Sequence, residues 1–333
     1  MEYALLKKFN LFVANAQAIK KEFRTHNTMT RRLVALLYAQ DDKPIDCDAI
    51  RRCREMIKQN TGFFSMFRGH MSHMSLCVAA MLSLSGGSQV LFKETLKVYN
   101  LLRSVKFHNS DYLVVAAVEI AKRTKPEEYP NVIGRARAFY DGMRRDHIVL
   151  TGQDDYIFAA LMGLSDINVA AGVKRIEELY RRFRGTFWDR NSVQALAQVL
   201  MIGSSDDEAA DRVQDLREAL RLRKLRLDKS YTLSSLGVLA ILPADIDAIV
   251  DDVDEVYNAL RLQKGFNRAS VSKAECLLFA AALVVGKYAQ NMRDGLLTAT
   301  ISTSFTSIII AQQMALIAAL SASSAAAAAS ASS

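Results

Sequence analysis

The segment VKRIEELYRRFRGTFWDRNSVQALAQVLM, residues 173–201, contains the pattern that decides the fold. In its first part, 173–184, apolar residues recur at spacings of three and four, which predicts an amphipathic helix that ends in the phrase YRRFR. A second apolar run, 193–201, follows after a few residues and is richer in small side chains. The segment therefore predicts two successive helices of different character, which we call a B helix and an A helix.

The phrase that ends this B helix recurs along the chain. Its copies are YNLLR, YDGMR, YRRFR, REALR and YNALR, and they begin at Tyr99, Tyr140, Tyr180, Arg217 and Tyr257. The intervals between them are about 41, 40, 37 and 40 residues, which is the signature of a repeated unit. A small-residue run surrounds a comparable position in each unit, and these positions are Ala35, Ala79, Ala116, Ala160, Ala197, Gly237 and Ala281.

These patterns predict an all-α protein. Only four prolines and fifteen glycines are present, too few for a chain rich in β-turns. Small residues on A helices allow neighbouring backbones to approach, and bulky B residues fill the grooves between them. We predict a right-handed α-solenoid of about six to seven helix-pair repeats over residues 1–295, with a period of about 40 residues. A compact helical bundle with coincidental spacing is the alternative.

The C-terminal region, 296–333, differs from the rest because it carries no charged residue and ends in alanine and serine. Its apolar part, 308–320, contains Gln312 and Gln313 and is short for a membrane span. We expect one apolar helix that covers the exposed end of the stack, followed by a low-complexity end. A membrane anchor is the alternative for this tail.

Charge and cysteine content restrict the class of protein further. The net charge of +8 permits a polyanionic partner without requiring one. The four cysteines contain no CxxC pair, which argues against a disulfide framework and favours a reducing compartment. The first residues also lack the basic-then-apolar order of a secretory signal. The expected location is the cytoplasm.

Several segments resemble the bacterial family catalogued as domain of unknown function 4003. They are FRGHMSHMSL (67–76), SDYLVVAAVEIA (110–121), IVLTGQDDYIFAAL (148–161), NSVQALAQVL (191–200), YTLSSLGVLAIL (231–242) and IIIAQQMALIAAL (308–320). TGQDDYIFAA and YTLSSLGVLA are the most specific of these phrases, and the resemblance extends over essentially the whole chain. It implies a cytoplasmic protein of Gram-positive bacteria and supplies no activity, so functional arguments depend on the residues.

The favoured function is a non-catalytic scaffold whose concave groove, lined by A helices, binds a protein or peptide segment. Polar residues near the loops are expected to line one rim of this groove: His70, Asn109, Asp111, Asp154, Asp155, Asn191 and Gln194. The sequence contains no GxSxG, no phosphate-binding glycine loop and no HExxH, and it predicts no cofactor. It leaves the oligomeric state open, and a membrane contact is expected only through the tail.

A second hypothesis is a nucleic-acid or other polyanion surface along a basic edge. Arginines at the ends of successive B helices would collect there: Arg144, Arg181, Arg182, Arg184 and Arg221. Phe183, Phe187 and Trp188 would then stack on bases. The structural interpretation is that cations are favoured at helix C-termini, that Phe187 and Trp188 pack between repeats, and that acidic runs offset the charge.

A third hypothesis is a metal-dependent enzyme. His70, His73 and Cys77 have spacings of three and four, which on a helix place an imidazole pair and a thiolate near one face, as zinc requires. No adjacent carboxylate offers a fourth ligand, and Cys77 is equally explained as a small buried residue.

An acidic pair is the remaining candidate for chemistry. Asp154 and Asp155, preceded by His147, have the groups needed for acid and base catalysis or for holding a hard cation. The structural interpretation is a capping box formed by Thr151 and Asp154 at the start of an A helix.

Overall fold

The computed structural model describes residues 1–68, 74–204 and 207–293. The tail at 296–333 lies outside the described residues, so its predicted helix and the domain boundary at 295 stay predictions. His70 and His73 lie outside them as well.

The described residues form fourteen α-helices and three short 3-10 helices, and no β-strand occurs among them. The all-α prediction is therefore confirmed. The α-helices are α1 (Tyr3–Glu22), α2 (Thr28–Gln40), α3 (Cys47–Asn60), α4 (Ser75–Leu84), α5 (Ser88–Ser104), α6 (Asp111–Arg123), α7 (Tyr129–Asp146), α8 (Tyr156–Leu164), α9 (Val169–Phe183), α10 (Arg190–Gly203), α11 (Glu208–Leu222), α12 (Leu233–Ile241), α13 (Ile246–Arg261) and α14 (Lys273–Arg293). The 3-10 helices are Pro126–Glu128, Gln153–Asp155 and Ser230–Thr232.

The helices form two layers. Each odd-numbered helix packs against the even-numbered helix that follows it, and the even-numbered helices also contact one another in chain order. Every residue from Tyr156 to Gly163 in α8 is buried, whereas α3 buries only Ile50, Cys53 and Ile57. A helix buried all round has neighbours on every side, and a helix with one buried stripe has solvent on the other. The even-numbered A helices are therefore the inner layer, and the odd-numbered B helices are the outer layer.

Small residues allow the layers to approach closely. A Cβ atom placed on Gly163 of α8 would lie 2.6 Å from the carbonyl oxygen of Val132 in α7, closer than atoms can pack. Gly237 of α12 is similarly covered by the Leu196 side chain, at 2.7 Å from the same kind of built atom. The expected role of small A-helix residues in close packing is thus observed at these two positions.

The first and last helix pairs of the described chain contact each other. The last helix, α14, packs against both α1 and α2. The ring of Phe12 in α1 lies 5.4 Å from that of Phe266 and 5.1 Å from that of Phe279 in α14. The Gln40 amide donates to the carbonyl oxygen of Ala282 at 2.7 Å. The inner helices of the described chain therefore form a closed ring, around which the outer helices pack. We call the contact between α1–α2 and α13–α14 the seam.

Closure changes one part of the predicted architecture. We expected an open right-handed array whose exposed end is covered by the tail. In the described residues the first and last pairs cover each other's apolar flanks instead. The inner helices are also mostly buried, which leaves little of their apolar surface open to a ligand in this part of the chain. The groove lined by A helices stays a prediction.

Candidate functional site

In every helix pair the chain turns back at the same end of the ring. All loops that connect a B helix to the next A helix therefore lie at that end. The predicted rim residues belong to these loops and to the starts of the A helices that follow. Four of them come together where α8 and α10 begin: Asn191 donates to Asp154 Oδ2 at 2.9 Å, and Gln194 donates to Asp155 Oδ1 at 3.2 Å. The structure thus places these four in one polar cluster.

Asp155 and Gln194 are buried in this cluster and do not line a rim. Gln198 Nε2 donates to Asp155 Oδ1 at 2.5 Å, and the Gly152 amide donates to Asp155 Oδ2 at 2.8 Å. Burial, reinforced by the charge of Asp154, raises the pKa of Asp155 to about 7. The predicted capping box is also displaced by one residue, because Asp155 rather than Asp154 reaches back to the backbone.

Two further rim residues lie on the loop between α5 and α6. Asn109 Oδ1 accepts a hydrogen bond from the Tyr99 hydroxyl at 2.7 Å and another from Arg103. Asp111 is the first residue of α6 and is partly buried. Asn109 therefore stabilises the end of α5 through its own polar contacts.

The acidic pair does not form a catalytic group with His147. The His147 Nε2 atom lies 2.6 Å from Glu177 Oε2, and its ring contacts that of Tyr180 with 4.3 Å between centroids. His147 therefore stabilises the contact between α7 and α9, away from the acidic pair.

Of the three predicted metal ligands, only Cys77 lies within the described residues. Cys77 is fully buried, its thiol lies 3.9 Å from the carbonyl oxygen of Thr30, and burial raises the pKa of the thiol. A protonated, enclosed thiol is a poor metal ligand. Within 1–68, 74–204 and 207–293, no group of three or more histidine, cysteine or acidic residues has the arrangement of a metal site.

The basic edge is largely offset by acidic residues. Arg181 pairs with Glu177 at 2.5 Å, Arg182 contacts Asp211, and Arg221 Nε donates to Asp228 at 2.7 Å. Arg144 and Arg184 have no carboxylate within salt-bridge distance in the described part of the chain. Three of the five arginines are thus engaged within the protein.

The aromatic residues beside this edge separate into two kinds. Phe183 and Phe187 are buried, and the guanidinium of Arg217 lies 5.1 Å from the ring centroid of Phe187. Trp188, which we expected to pack between repeats, is 99% exposed. The burial prediction was therefore right for Phe187 and wrong for Trp188.

A further cavity, lined by cations, is not predicted by the sequence. A cavity of about 790 Å³ lies at the seam, between the end of α1, the start of α2 and the loop that precedes α14. Its lining includes Ala16, Gln17, Thr28, Gly265, Phe266 and Ser270, and six cations: Lys20, Lys21, Arg24, Arg31, Arg32 and Lys264. We call it the seam pocket.

Arg32 is the fixed cation of this pocket. Its Nη1 lies 2.5 Å from Glu275 Oε1, and its Nη2 donates to the carbonyl oxygens of Gly265 at 2.7 Å and Ser270 at 3.2 Å. Both partners of the ion pair are less than 10% exposed. Because Arg32 and Glu275 belong to α2 and α14, this ion pair also joins the first helix pair to the last.

The other cations of the pocket have no such compensation. Lys20, Lys21, Arg24, Arg31 and Lys264 have no carboxylate within salt-bridge distance among the described residues. Burial and the neighbouring charge of Arg32 lower the pKa of Arg31, as expected where cations are crowded together. Thr28 is the first residue of α2, so the positive end of that helix dipole lies at the same cavity.

Part of this site was visible in the sequence. The cations from Lys20 to Arg32 lie close together in the sequence, on α1, on α2 and on the turn between them, but the net charge of the chain does not single them out. Lys264 is far away in sequence, and only closure of the ring brings it to the same cavity. The missed signal was therefore the contact between chain ends.

No helix in the described ranges is long and apolar enough to cross a bilayer. Neither curated proteins nor solved structures gave a match to this chain. A family profile described as "Protein of unknown function (DUF4003)" matches residues 15–314, which include all the helices of the ring except the start of α1. The chain therefore belongs to the DUF4003 family.

Proposed function

We propose that this protein binds a small, phosphate-bearing organic anion in the seam pocket. The observation that supports the proposal is the set of six cations around one cavity of about 790 Å³, five of which have no carboxylate within salt-bridge distance among the described residues. Cavities of this size accommodate metabolite-sized ligands. Crowded cations repel one another, and a bound polyanion would remove that repulsion.

The lining divides into parts with different roles in this proposal. Arg32 is held in a fixed position by three acceptors, one of which is the Glu275 carboxylate that balances its charge. Arg31 is fixed less strongly, by a single hydrogen bond to the Thr28 hydroxyl at 2.9 Å, and keeps donors for a phosphate oxygen. Lys20, Lys21 and Lys264 are exposed, and their flexible side chains would close over the anion. Phe266 and Ala16 provide an apolar wall for the organic part of the ligand.

Isothermal titration calorimetry with pyrophosphate and with ATP tests the proposal on the full-length chain. Binding is expected to weaken with added salt. The double variant Arg31→Gln, Lys264→Gln should lose roughly tenfold or more in affinity, because two charge-assisted contacts disappear. Arg184→Gln, which removes an equally uncompensated cation outside the pocket, should bind like the unmodified protein.

Two results would contradict the proposal. One is the absence of heat or thermal stabilisation with either probe at low salt. The other is binding that Arg184→Gln weakens as much as the pocket variant does, since this would indicate diffuse attraction by the whole basic surface. Tight binding of a single-stranded oligonucleotide with equal losses in both variants would instead favour the basic-edge hypothesis.

We also propose that the helix pairs are seven copies of one unit of about 40 residues. Contacts of the repeated tyrosines support this. In successive units, a residue of the loop before the A helix contacts the corresponding residue of the next B helix: Phe67 with Tyr99, Phe107 with Tyr140, His147 with Tyr180, and Phe187 with Arg217. The loop residues of these pairs are spaced by about 40 positions.

The scaffold hypothesis takes a narrower form in a closed ring. A protein segment would have to bind on an outer surface or at an end of the ring rather than along the A helices. Bacterial origin and a cytoplasmic location, expected from the resemblance and from the scattered cysteines, complete the proposal.

A further inference from the structure

The two ends of the ring carry opposite charge. We call the end formed by the B-to-A loops the upper end and the end formed by the A-to-B loops the lower end. The upper loops contain ten lysines and arginines: Arg24, Arg68, Lys106, Arg184, Arg223, Lys224, Arg226, Lys229, Lys264 and Arg268. They contain four aspartates: Asp154, Asp155, Asp189 and Asp228.

The lower loops have the reverse composition in the described residues. Their acidic residues are Asp41, Asp42, Asp46, Glu127, Glu128, Asp166, Asp207 and Asp245, and their cations are Lys43 and Lys125. Part of the charge is compensated at both ends. At the upper end Asp228 pairs with Arg221 and Arg226, and Arg223 pairs with Asp251 and Asp254. At the lower end Asp42 pairs with Lys7 and Lys8, and Asp207 pairs with Arg175 and Arg182. The described loops of the upper end keep a net positive charge, and those of the lower end keep a net negative charge.

The upper end also carries most of the exposed apolar side chains. Of the eleven large hydrophobic residues exposed in the described chain, seven lie on the upper loops or at their edges: Phe63, Phe64, Ile148, Val149, Trp188, Leu222 and Leu262. By the same criterion two lie at the lower end, Tyr3 at the start of α1 and Val90 in the first turn of α5. Trp188 and Val149 are 99% and 91% exposed, so neither side chain packs against the rest of the described protein.

These side chains are distributed in a way that suits a flat partner. They come from five places around the ring, with Phe63, Phe64, Ile148, Val149 and Trp188 within loops and Leu222 and Leu262 at the ends of α11 and α13. A protein partner with a hot spot requires a contiguous apolar patch or a pocket. A lipid surface accepts separate apolar tips and places tryptophan and the alkyl stems of cationic residues at its headgroups.

We propose that the upper end docks this protein on an anionic lipid surface, with the apolar loop tips entering the headgroup region. The uncompensated cations Arg24, Arg184, Lys224 and Lys229 attract the lipid phosphates. The acidic lower end is repelled, which orients the ring with the seam pocket toward the membrane. This inference rests on the charge and exposure of the loops and does not depend on the proposed ligand of the pocket.

The protein contains a built-in reporter for the test, because Trp188 is its single tryptophan. Full-length protein is mixed with vesicles of phosphatidylcholine alone or of phosphatidylcholine with phosphatidylglycerol. The tryptophan emission should shift to shorter wavelength only with the anionic vesicles. Lipids brominated in the upper acyl chain should quench it, and added salt should reverse the shift.

Variants identify the surface involved. Ile148→Ser with Val149→Ser leaves the reporter in place and should weaken cosedimentation with anionic vesicles by roughly tenfold, because two loop-tip side chains no longer insert. Arg184→Glu with Lys229→Glu should have at least as large an effect. Tyr3→Ser with Val90→Ser removes two exposed apolar residues that lie away from the upper loops and should bind normally. All these positions are exposed, so folding, checked by circular dichroism, should not change.

Three outcomes would overturn the proposal. The first is no emission shift with any vesicle. The second is cosedimentation that the upper-loop variants leave unchanged and in which Trp188 is not quenched, which would assign membrane binding to the tail at 296–333. The third is an emission shift caused by polyglutamate but not by vesicles, which would assign the surface to an acidic protein.

Discussion

The ion pair between Arg32 and Glu275 joins the first and last helix pairs of the described chain, so the loss of either member alone should destabilise the protein strongly. The perturbation we consider is Glu275→Leu alone, Arg32→Met alone, and both together. Each single change leaves a buried polar group without its partner. The double change removes both charges and replaces them with apolar side chains of similar length.

The structure sets the expected size of the effect. Both side chains are less than 10% exposed, and their nearest N and O atoms are 2.5 Å apart. Removing one member of a buried pair costs about 3–5 kcal/mol, since the remaining charge is left without compensation. Arg32 keeps the carbonyl oxygens of Gly265 and Ser270, so Glu275→Leu should lie near ~3 kcal/mol. Burial raises the pKa of Glu275, which shows that enclosing this carboxylate is itself unfavourable.

The double variant should therefore lose at least ~2 kcal/mol less than the sum of the two single losses. Urea unfolding followed by circular dichroism measures all three free energies of unfolding. The control is Glu178 on α9, an exposed carboxylate 3.7 Å from Lys174 and 3.8 Å from Arg175, where Glu178→Gln should cost no more than ~0.5 kcal/mol. Additive losses at Arg32 and Glu275, or a Glu275→Leu loss as small as that of the control, would show that the seam is held by its aromatic contacts alone.

Two further predictions concern packing and pH. Gly163→Ala should destabilise the protein by about 2 kcal/mol, because the new Cβ would meet a carbonyl oxygen of α7. Gly134→Ala, which has open space around it, should be neutral or stabilising by up to ~1 kcal/mol. Thermal unfolding of the two variants measures the difference. The raised pKa of Asp155, about 7, means that the folded protein holds this proton more tightly than the unfolded chain, whose value is about 4. Stability should therefore fall as pH rises from about 4 to about 7, and Asp155→Asn should remove this part of the slope, which urea midpoints at several pH values would reveal. Equal slopes for both proteins would show that Asp155 is ionised throughout.

The features that the sequence predicts correctly are those determined by short-range patterns. The runs around Ala160 and Ala197 predict A helices because they are rich in small and apolar residues, and both alanines are buried. The spacing in 173–184 predicts an outer helix, and α9 buries one stripe that includes Ile176 and Leu179. Helix type and burial follow from periodicity, which is a local property.

The features that it does not predict depend on contacts between distant parts of the chain. Nothing in the local pattern around Phe12 indicates that its ring meets Phe266, yet this contact determines whether the array is open or closed. The seam pocket inherits the same difficulty, since Arg31 and Lys264 become neighbours only through closure. Conversely, the polar side chains of Asp155 and Gln194 predict positions on a rim, whereas in the structure the hydrogen bond between them allows both to be buried.

Closure of the ring also explains how the charges that each helix prefers at its own two ends produce a charge difference between the two ends of the ring. All seven B helices have a cation in the last turn, and several begin at acidic caps such as Asp46 and Asp245. Each of these choices is explained by the helix dipole, at about 0.3–1 kcal/mol per site. Because the B helices of a closed ring all run in one direction, the same choices place cations at one end and carboxylates at the other. Helix capping alone therefore accounts for much of the charge separation. It does not account for Trp188, Val149 and Leu262, whose exposure stabilises no helix, and these residues are what distinguish a docking surface from a set of well-capped helices.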